Sequence, residues 1–465
     1  MQTSQTDRSP ILQVGDVVEA TPTNRAHWEI IILVAFGALF DAVEQYNSGY
    51  AAPSLEHVWH ITSTEVGLLS TFTFGAMTIG SLLAGLSGDY LGRKFTYMYN
   101  LLLYTVGALI GAFAPDITVL YIGRIIVGLG LGGELNTGLT IVSELVPTRL
   151  RGSATAIVNV AAGGAGIFLS AALAFLILGP LGPTLGGIDS SWRWLLGLLV
   201  IPAVLIWFYR RYIPESPRYL ASRGRIDDAN QILSMLAAKT LKPIREVTEY
   251  IHASAAATSP DPVRISDVFR GPFRRRTIVL WIISWMTFGG QVTITTFLPT
   301  LLVSEGFTVV HSLLYSTIIN IGGLVGAILA SLFAAFVPRR AVLGGGAVLA
   351  IGIALLFSAA HGHTAILLLG GLMQLMFILL NTSTWLYSPE LYPTRVRAFG
   401  TGAAVVVALV SATLTPLIAG PLFSSFQGTG LLGLIAVMYA IMAVAMLGFG
   451  TETRGKSLEQ LTENL

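Results

Sequence analysis

SELVPTRLRG at residues 143–152 is matched by PELYPTRVRA at residues 389–398. Glu144 corresponds to Glu390, Pro147 to Pro393 and Arg151 to Arg397, each pair separated by 246 positions. The chain thus repeats itself, and each copy follows a long apolar stretch. Stretches long enough to cross about 30 Å of hydrocarbon as helices, roughly 20 residues each, can be read outward from these two anchors. They lie near 28–55, 62–88, 94–114, 116–143, 150–178, 191–212, 275–304, 308–337, 340–360, 363–391, 396–424 and 427–450. The runs are continuously apolar and do not alternate at period two, which predicts helices and not barrel strands. The reading is an all-α membrane protein, with twelve transmembrane helices in two six-helix bundles.

Composition agrees. Only 11% of the 465 residues are charged, against roughly 25% in an ordinary globular protein, and 53% are hydrophobic. A water-facing surface cannot be built from that supply, so a soluble enzyme, a DNA-binding protein and a disordered scaffold are all disfavoured. The net charge of +2 implies no polyanionic partner and hence no nucleic acid. With no cysteine, disulfides and thiolate metal sites are excluded together. Residues 1–27 contain no short apolar core with a small-residue cleavage site, so no removable signal peptide is expected.

Lys and Arg concentrate in loops that stay cytoplasmic. With both termini inside, 25 of the 27 basic residues fall on that side, thirteen of them between 210 and 276. The exceptions are Arg193, at the outer start of the sixth span, and Arg124, within the fourth. The expected divisions are a cytoplasmic tail (1–27), a six-helix bundle (28–212), a cytoplasmic helical bridge (213–274), a second six-helix bundle (275–450) and a cytoplasmic tail (451–465). Within the bridge, DDANQILSMLAA reads as a short amphipathic helix and SPDP at 259–262 as a break. Two six-span halves related by an axis along the membrane normal are the architecture of a rocking transporter with its site between them.

The chain resembles the major facilitator superfamily, in the branch of sugar porters, niacin-type transporters and related metabolite:proton symporters. The resemblance covers about residues 28–460. It rests on GLSGDYLGRK after the second span, GRIIVGLGLGGE in the fourth, SELVPTRLRG, PESPRYL after the sixth, SPELYPTRVRAFGTG after the tenth and ETRGKSLEQ near the C-terminus. FDAVE at 40–44 and GGELN at 132–136 are more like niacin-type members than sugar porters. It implies a multi-pass protein of the plasma membrane, the inner membrane in a bacterium, working as a monomer without cofactor or metal and in contact with membrane lipid.

The resemblance also implies a cytoplasmic gate of opposite charges, Asp89, Arg93, Glu144, Arg151, Glu215 and Arg218, whose pairs are broken and remade as the halves rock. The plainer reading is that these charges anchor topology. In the second half the matching loop is FVPRRAVL, with no acid like Asp89, and Glu390 is left with Arg395 and Arg397.

Ionisable groups inside the bilayer are costly, at least about 2.5 kcal/mol at a helix centre by insertion scales, and so point to function. Asp41 and Glu44 are three apart on the first span and share a face, so Glu44 joins Asp41 and Arg124 as a proton-coupling candidate, and a cationic substrate could use Glu44 or Glu134 directly. Asp41 and Arg124 match the positions where sugar porters and their relatives carry a proton-coupling acid and its arginine, which makes Asp41 the expected proton carrier and Arg124 its switchable partner. The competing reading is a static buried ion pair. Glu134, about 27 Å along its span from the outer start, is expected to face the cavity or gate and not to join Asp41.

Neutral candidates for the pocket are Gln45, Asn47, Asn159, Gln291, Thr295, Asn320, Gln374, Asn381 and Trp385, with Gln291 and Trp385 preferred because the family's inner-pocket helices carry them. For any one of them, helix packing is an equal explanation. Gly128, Gly130 and Gly133 spell a dinucleotide fingerprint, but with no preceding strand they read as helix-packing glycines. The expected function is import of a small organic metabolite with protons by alternating access. An aromatic or heteroaromatic carboxylate such as nicotinate leads. A sugar:proton symporter, a proton-independent facilitator or exporter, and a transport-like sensor are the alternatives. No catalytic constellation is present, so an enzyme is not expected.

Overall fold

The structure, a computed structural model, describes residues 14–200, 212–252, 268–269, 271 and 273–454. The first half contains α1 (Val14–Ala20), α2 (Arg25–Trp59), α3 (Ser63–Leu91), α4 (Arg93–Ala112), α5 (Ile117–Leu145), α6 (Thr148–Asn159), α7 (Gly166–Leu178) and α8 (Ser191–Gly197). A π-helical turn, Val160–Ala165, joins α6 to α7, so together they make the fifth span. The sixth span begins with α8, and its continuation lies outside the described residues, as does SPDP. The bridge carries α9 (Pro217–Ser222) and α10 (Ile226–Ala237), the latter over the expected amphipathic stretch.

The second half contains α11 (Phe273–Ser304), α12 (Val309–Phe336), α13 (Gly346–Ser358), α14 (His363–Tyr387) and α15 (Thr394–Phe449). Gln427, at φ 50° and ψ −137°, breaks α15 into the eleventh and twelfth spans. That completes the twelve-helix fold. Helix starts follow local chemistry: the Asn24 carboxamide accepts from Ala26 and His27, Thr62 and Glu65 cap α3 reciprocally, and Asp116 accepts from Thr118 and Val119. One element was not expected. Within the polar tail, α1 buries Val17 and Val18 against Leu220, Ala229, Leu233 and Ile251 of the bridge.

Glycines in α5 mark where helices touch. A Cβ on Gly128 would lie 2.2 Å from the Thr73 carbonyl oxygen of α3, and one on Gly130 would lie 2.5 Å from the Asn100 carbonyl oxygen of α4. Close backbone approach is thus the use of these glycines.

The halves meet toward the outer face. The Thr71 hydroxyl donates to the Thr413 carbonyl at 2.9 Å, and Ser70 and Thr296 hydroxyls are 2.9 Å apart. A Cβ on Gly67 would stand 2.7 Å from the Pro416 carbonyl oxygen. At the cytoplasmic end, the ion pairs among the described residues stay within one half or its appendages. The molecule is closed outside.

Candidate substrate and proton site

Among the described residues of the first bundle, the membrane-embedded charges Asp41, Glu44, Arg124 and Glu134 sort into two pairs. Arg124 of α5 is buried and directs Nη1 to Glu44 Oε1 at 2.5 Å, Nη2 to the Glu44 carbonyl at 3.1 Å, and Nε to the Thr73 hydroxyl at 3.1 Å. Among the described residues its side-chain hydrogen bonds go to Glu44 and Thr73, and none to Asp41. The expected Asp41–Arg124 pairing is therefore replaced by Glu44–Arg124.

Asp41 instead faces Glu134, whose carboxyl also has the Tyr97 hydroxyl beside it. This corrects the separation of Glu134 from Asp41. The physical reason lies in helix length: α2 begins at Arg25 and α5 runs 29 residues, about 43 Å, so both overhang the bilayer. Depths counted from opposite faces along tilted helices were not on one scale. Asp41 also lies one turn inward of Glu44 on α2, which takes it out of the arginine's reach. Two ionised carboxylates have only acceptors to offer each other, so a hydrogen bond between Asp41 and Glu134 requires one proton on the pair. No described cation lies within ion-pair distance of either.

The neutral candidates divide into bridging and packing groups. Gln291 Nε2 donates to the Tyr46 hydroxyl at 3.1 Å, and Asn320 Nδ2 donates to the Tyr50 hydroxyl at 2.7 Å. Gln374 Nε2 extends the second chain to Asn320 Oδ1 at 2.9 Å. Two polar chains thus link α2 in one half to α11, α12 and α14 in the other. Tyr46 and Tyr50 were not among the sequence candidates; their four-residue spacing on the face next to Glu44 was the available signal.

Asn47 is engaged in packing, giving Nδ2 to the Leu195 carbonyl and accepting from Ser170. Gln45 Nε2 is 3.7 Å from the Met77 sulfur, and Trp385 donates to Asn381 Oδ1 at 2.8 Å. Thr295 is buried beside the α2–α11 contact, and Asn159 is half-buried just before the π-turn. Phe288 stands between Phe74, with ring centres 5.9 Å apart, and Trp385, at 6.3 Å. An aromatic row therefore crosses from one half to the other near these polar groups.

The cytoplasmic charges form two matching sets. Arg93 meets Asp89 at 3.1 Å and Glu144 at 3.5 Å. Exactly the same offset that relates the sequence copies relates Arg93 to Arg339, and Arg339 grips Glu390 through both oxygens at 2.5 and 3.0 Å. Among the described residues the ion-pair partner of Glu390 is thus Arg339 and not the expected Arg397, while the expected Arg395 side chain lies outside what the structure describes. Arg397 Nε donates to the Tyr392 carbonyl at 3.3 Å, as Arg151 Nε does to the Val146 carbonyl at 2.9 Å.

Glu215 accepts the backbone N–H of Arg93 and Lys94 at the start of α4. Glu452, absent from the candidates although ETRGKSLEQ contains it, likewise accepts from the N–H of Arg339 and Arg340 at 2.9 and 3.0 Å. Partial burial works to raise its pKa, but these N–H donors outweigh it and hold Glu452 below the ordinary carboxylate value. Arg151 pairs with Glu19 of α1 at 3.3 Å, and Arg218 lies against Gly15. The acid reached by Arg151 thus comes from the tail, not from the expected gate set.

Twelve spans, with polar and aromatic candidate residues meeting between the two halves, define a transporter of the major facilitator fold. The profile described as "Sugar (and other) transporter" matches residues 30–465, and the chain belongs to that family. It is a multi-pass transporter of the plasma membrane, not an enzyme. It is 28% identical to the niacin transporter NiaP of Acinetobacter baylyi over 96% of this chain and 98% of the relative, and 29% identical to the inner membrane metabolite transport protein YdjE of Escherichia coli over 97% and 98%. Among solved structures it resembles the inward-open conformation of the xylose transporter XylE from E. coli, with TM-score 0.73, 18% identity and coverage of 94% and 99%.

Proposed function

We propose that this transporter imports a small organic metabolite together with protons by alternating access, and that an aromatic or heteroaromatic carboxylate such as nicotinate is its substrate. The observation that carries the coupling is the facing of Asp41 and Glu134: two carboxyl groups shut from solvent, with no cation among the described residues in ion-pair distance, so that one proton between them would satisfy both. Asp41 remains the proton carrier in this reading, with Glu134 in the role first given to Arg124. The Glu44–Arg124 pair is the static element that fixes α2 against α5. The aromatic row of Phe74, Phe288 and Trp385 suits a flat ring, and the named activity of NiaP supports the substrate class.

The halves, 28–212 and 275–450, act as the rocking bodies, with 213–274 as their bridge and 1–27 and 451–465 as tails. The protein works as a monomer. Asp89, Arg93, Glu144, Glu215 and Glu390 hold each half's inner end together, so the gate acts through interlocked helix ends inside a half.

Uptake into proteoliposomes tests this. An imposed inward proton gradient should drive nicotinate accumulation in the wild type. Asp41→Asn and Glu134→Gln should each abolish accumulation while leaving nicotinate exchange. Unchanged accumulation in both variants would discard the coupling assignment. A sugar is the second reading, favoured by the amides Gln291, Asn320 and Gln374 chained to tyrosines. Counterflow with nicotinate, benzoate and hexoses separates the two.

A further inference from the structure

Between α11 and the twelfth span lies a groove of about 720 Å³ whose lining includes none of the candidate substrate-site residues. Ile278, Val279 and Ile282 form one wall; Val437, Ala440, Ile441, Val444, Ala445 and Phe449 form the other and the floor. Its lining is apolar throughout until the cytoplasmic end, where Arg274 and Arg275 close it. Val437 to Phe449 is twelve helical steps, about 18 Å, which matches one leaflet of a hydrocarbon core about 30 Å thick.

The two arginines are available outward. Arg276, next in sequence, is buried and turns inward to the Leu391 carbonyl, whereas Arg274 and Arg275 are exposed. Arg275 Nε donates to the Phe449 carbonyl at 3.0 Å, and its guanidinium lies 5.8 Å from the Phe449 ring. That fixes one guanidinium at the end of the groove, and among the described residues only its Nε–H is given to a protein acceptor. A groove one leaflet deep, apolar along its length and doubly cationic at headgroup level, complements one kind of molecule: a long acyl chain ending in a phosphate.

We infer that this groove is a binding site for an anionic phospholipid of the cytoplasmic leaflet, with an acyl chain between α11 and the twelfth span and its phosphate on Arg274 and Arg275. The site borders α11, which carries Gln291, so a bound lipid would brace an element of the second half's pocket wall.

Native mass spectrometry of the purified full chain, titrated with phosphatidylglycerol and with phosphatidylcholine of the same chains, tests the site. The wild type should hold phosphatidylglycerol about tenfold more tightly, as two cations near one anionic headgroup would give. R274Q/R275Q should erase that preference with helix content by circular dichroism unchanged. Ala440→Trp, which fills the floor while keeping both arginines, should weaken both lipids. A preference that survives R274Q/R275Q, or wild-type adducts in Ala440→Trp, would overturn the proposal.

Discussion

Glu44 and Arg124 form an ion pair with relative exposures of 0% and 2%, and such pairs tolerate the loss of one partner badly. Removing one side strands a charge in a low-dielectric interior, at a cost of about 3–5 kcal/mol. Glu44→Gln should therefore lower the thermal unfolding temperature in detergent sharply, and E44Q/R124Q should lose less than the two single changes added together. Asp41→Asn should differ. An amide there can donate to Glu134 without needing a proton on either group, so its stability should stay within about 1 kcal/mol of wild type by the same assay, given the net worth of one hydrogen bond. A large loss in Asp41→Asn would make that acid a structural element. Sequence alone put all four groups in the membrane, but one-dimensional depth could not choose between partners one helical turn apart on the same face.

At the scale of elements, the duplication reaches further into the structure than into the sequence. The Arg93–Glu144 and Arg339–Glu390 contacts repeat, and so do the carboxylates that cap the following helix starts. Glu215 and Glu452 were hard to equate because they follow their spans at different offsets and sit in PES and TETR, segments with little in common. Negative charge at a helix start contributes about 0.3–1 kcal/mol. Glu452→Ala and Glu215→Ala should thus lower thermal stability by similar small amounts. The tail helix α1 was illegible because seven residues, VGDVVEA, show too little periodicity; its apolar face exists only against the bridge. The Thr148 hydroxyl and backbone N–H hold Glu19 below the ordinary carboxylate value, with Arg151 and Arg149 adding to the effect. A depressed carboxylate stabilises docking above its unfolded pKa and loses that contribution as pH falls through the folded one. Hydrogen exchange of residues 14–20, corrected for intrinsic rate, should stay slow at neutral pH and quicken only below the ordinary value of 4.5. Glu19→Ala should show the fast exchange at pH 7.

For the whole molecule, the twelve-span helical fold was readable because lipid demands length and the loops carry the charge. Which face is closed was not readable, since it depends on contacts between residues hundreds of positions apart. Those contacts crowd the outer end: Thr71 with Thr413, Gly67 with Pro416, and Gly420 with Thr64, where a Cβ would lie 2.9 Å from the Thr64 Cα. The atoms opposing Gly67 and Gly420 are backbone, which cannot swing aside as a side chain can. A larger residue at Gly67 must therefore hold the outer ends of α3 and α15 apart, while the inner ends remain free to close. A ligand or a substitution shifts a two-state equilibrium only through its differential cost in the two states, and this one is confined to the outer-closed state. Because the chain has no cysteine, a single introduced thiol reports cleanly. In a Thr71→Cys background, Gly67→Leu should raise labelling by a membrane-impermeant maleimide from outside and slow uptake. Gly433→Leu, at a position with open space around it, should change neither. Equal labelling with and without Gly67→Leu would mean that the outer contact is not the hinge-side seal on which alternating access depends.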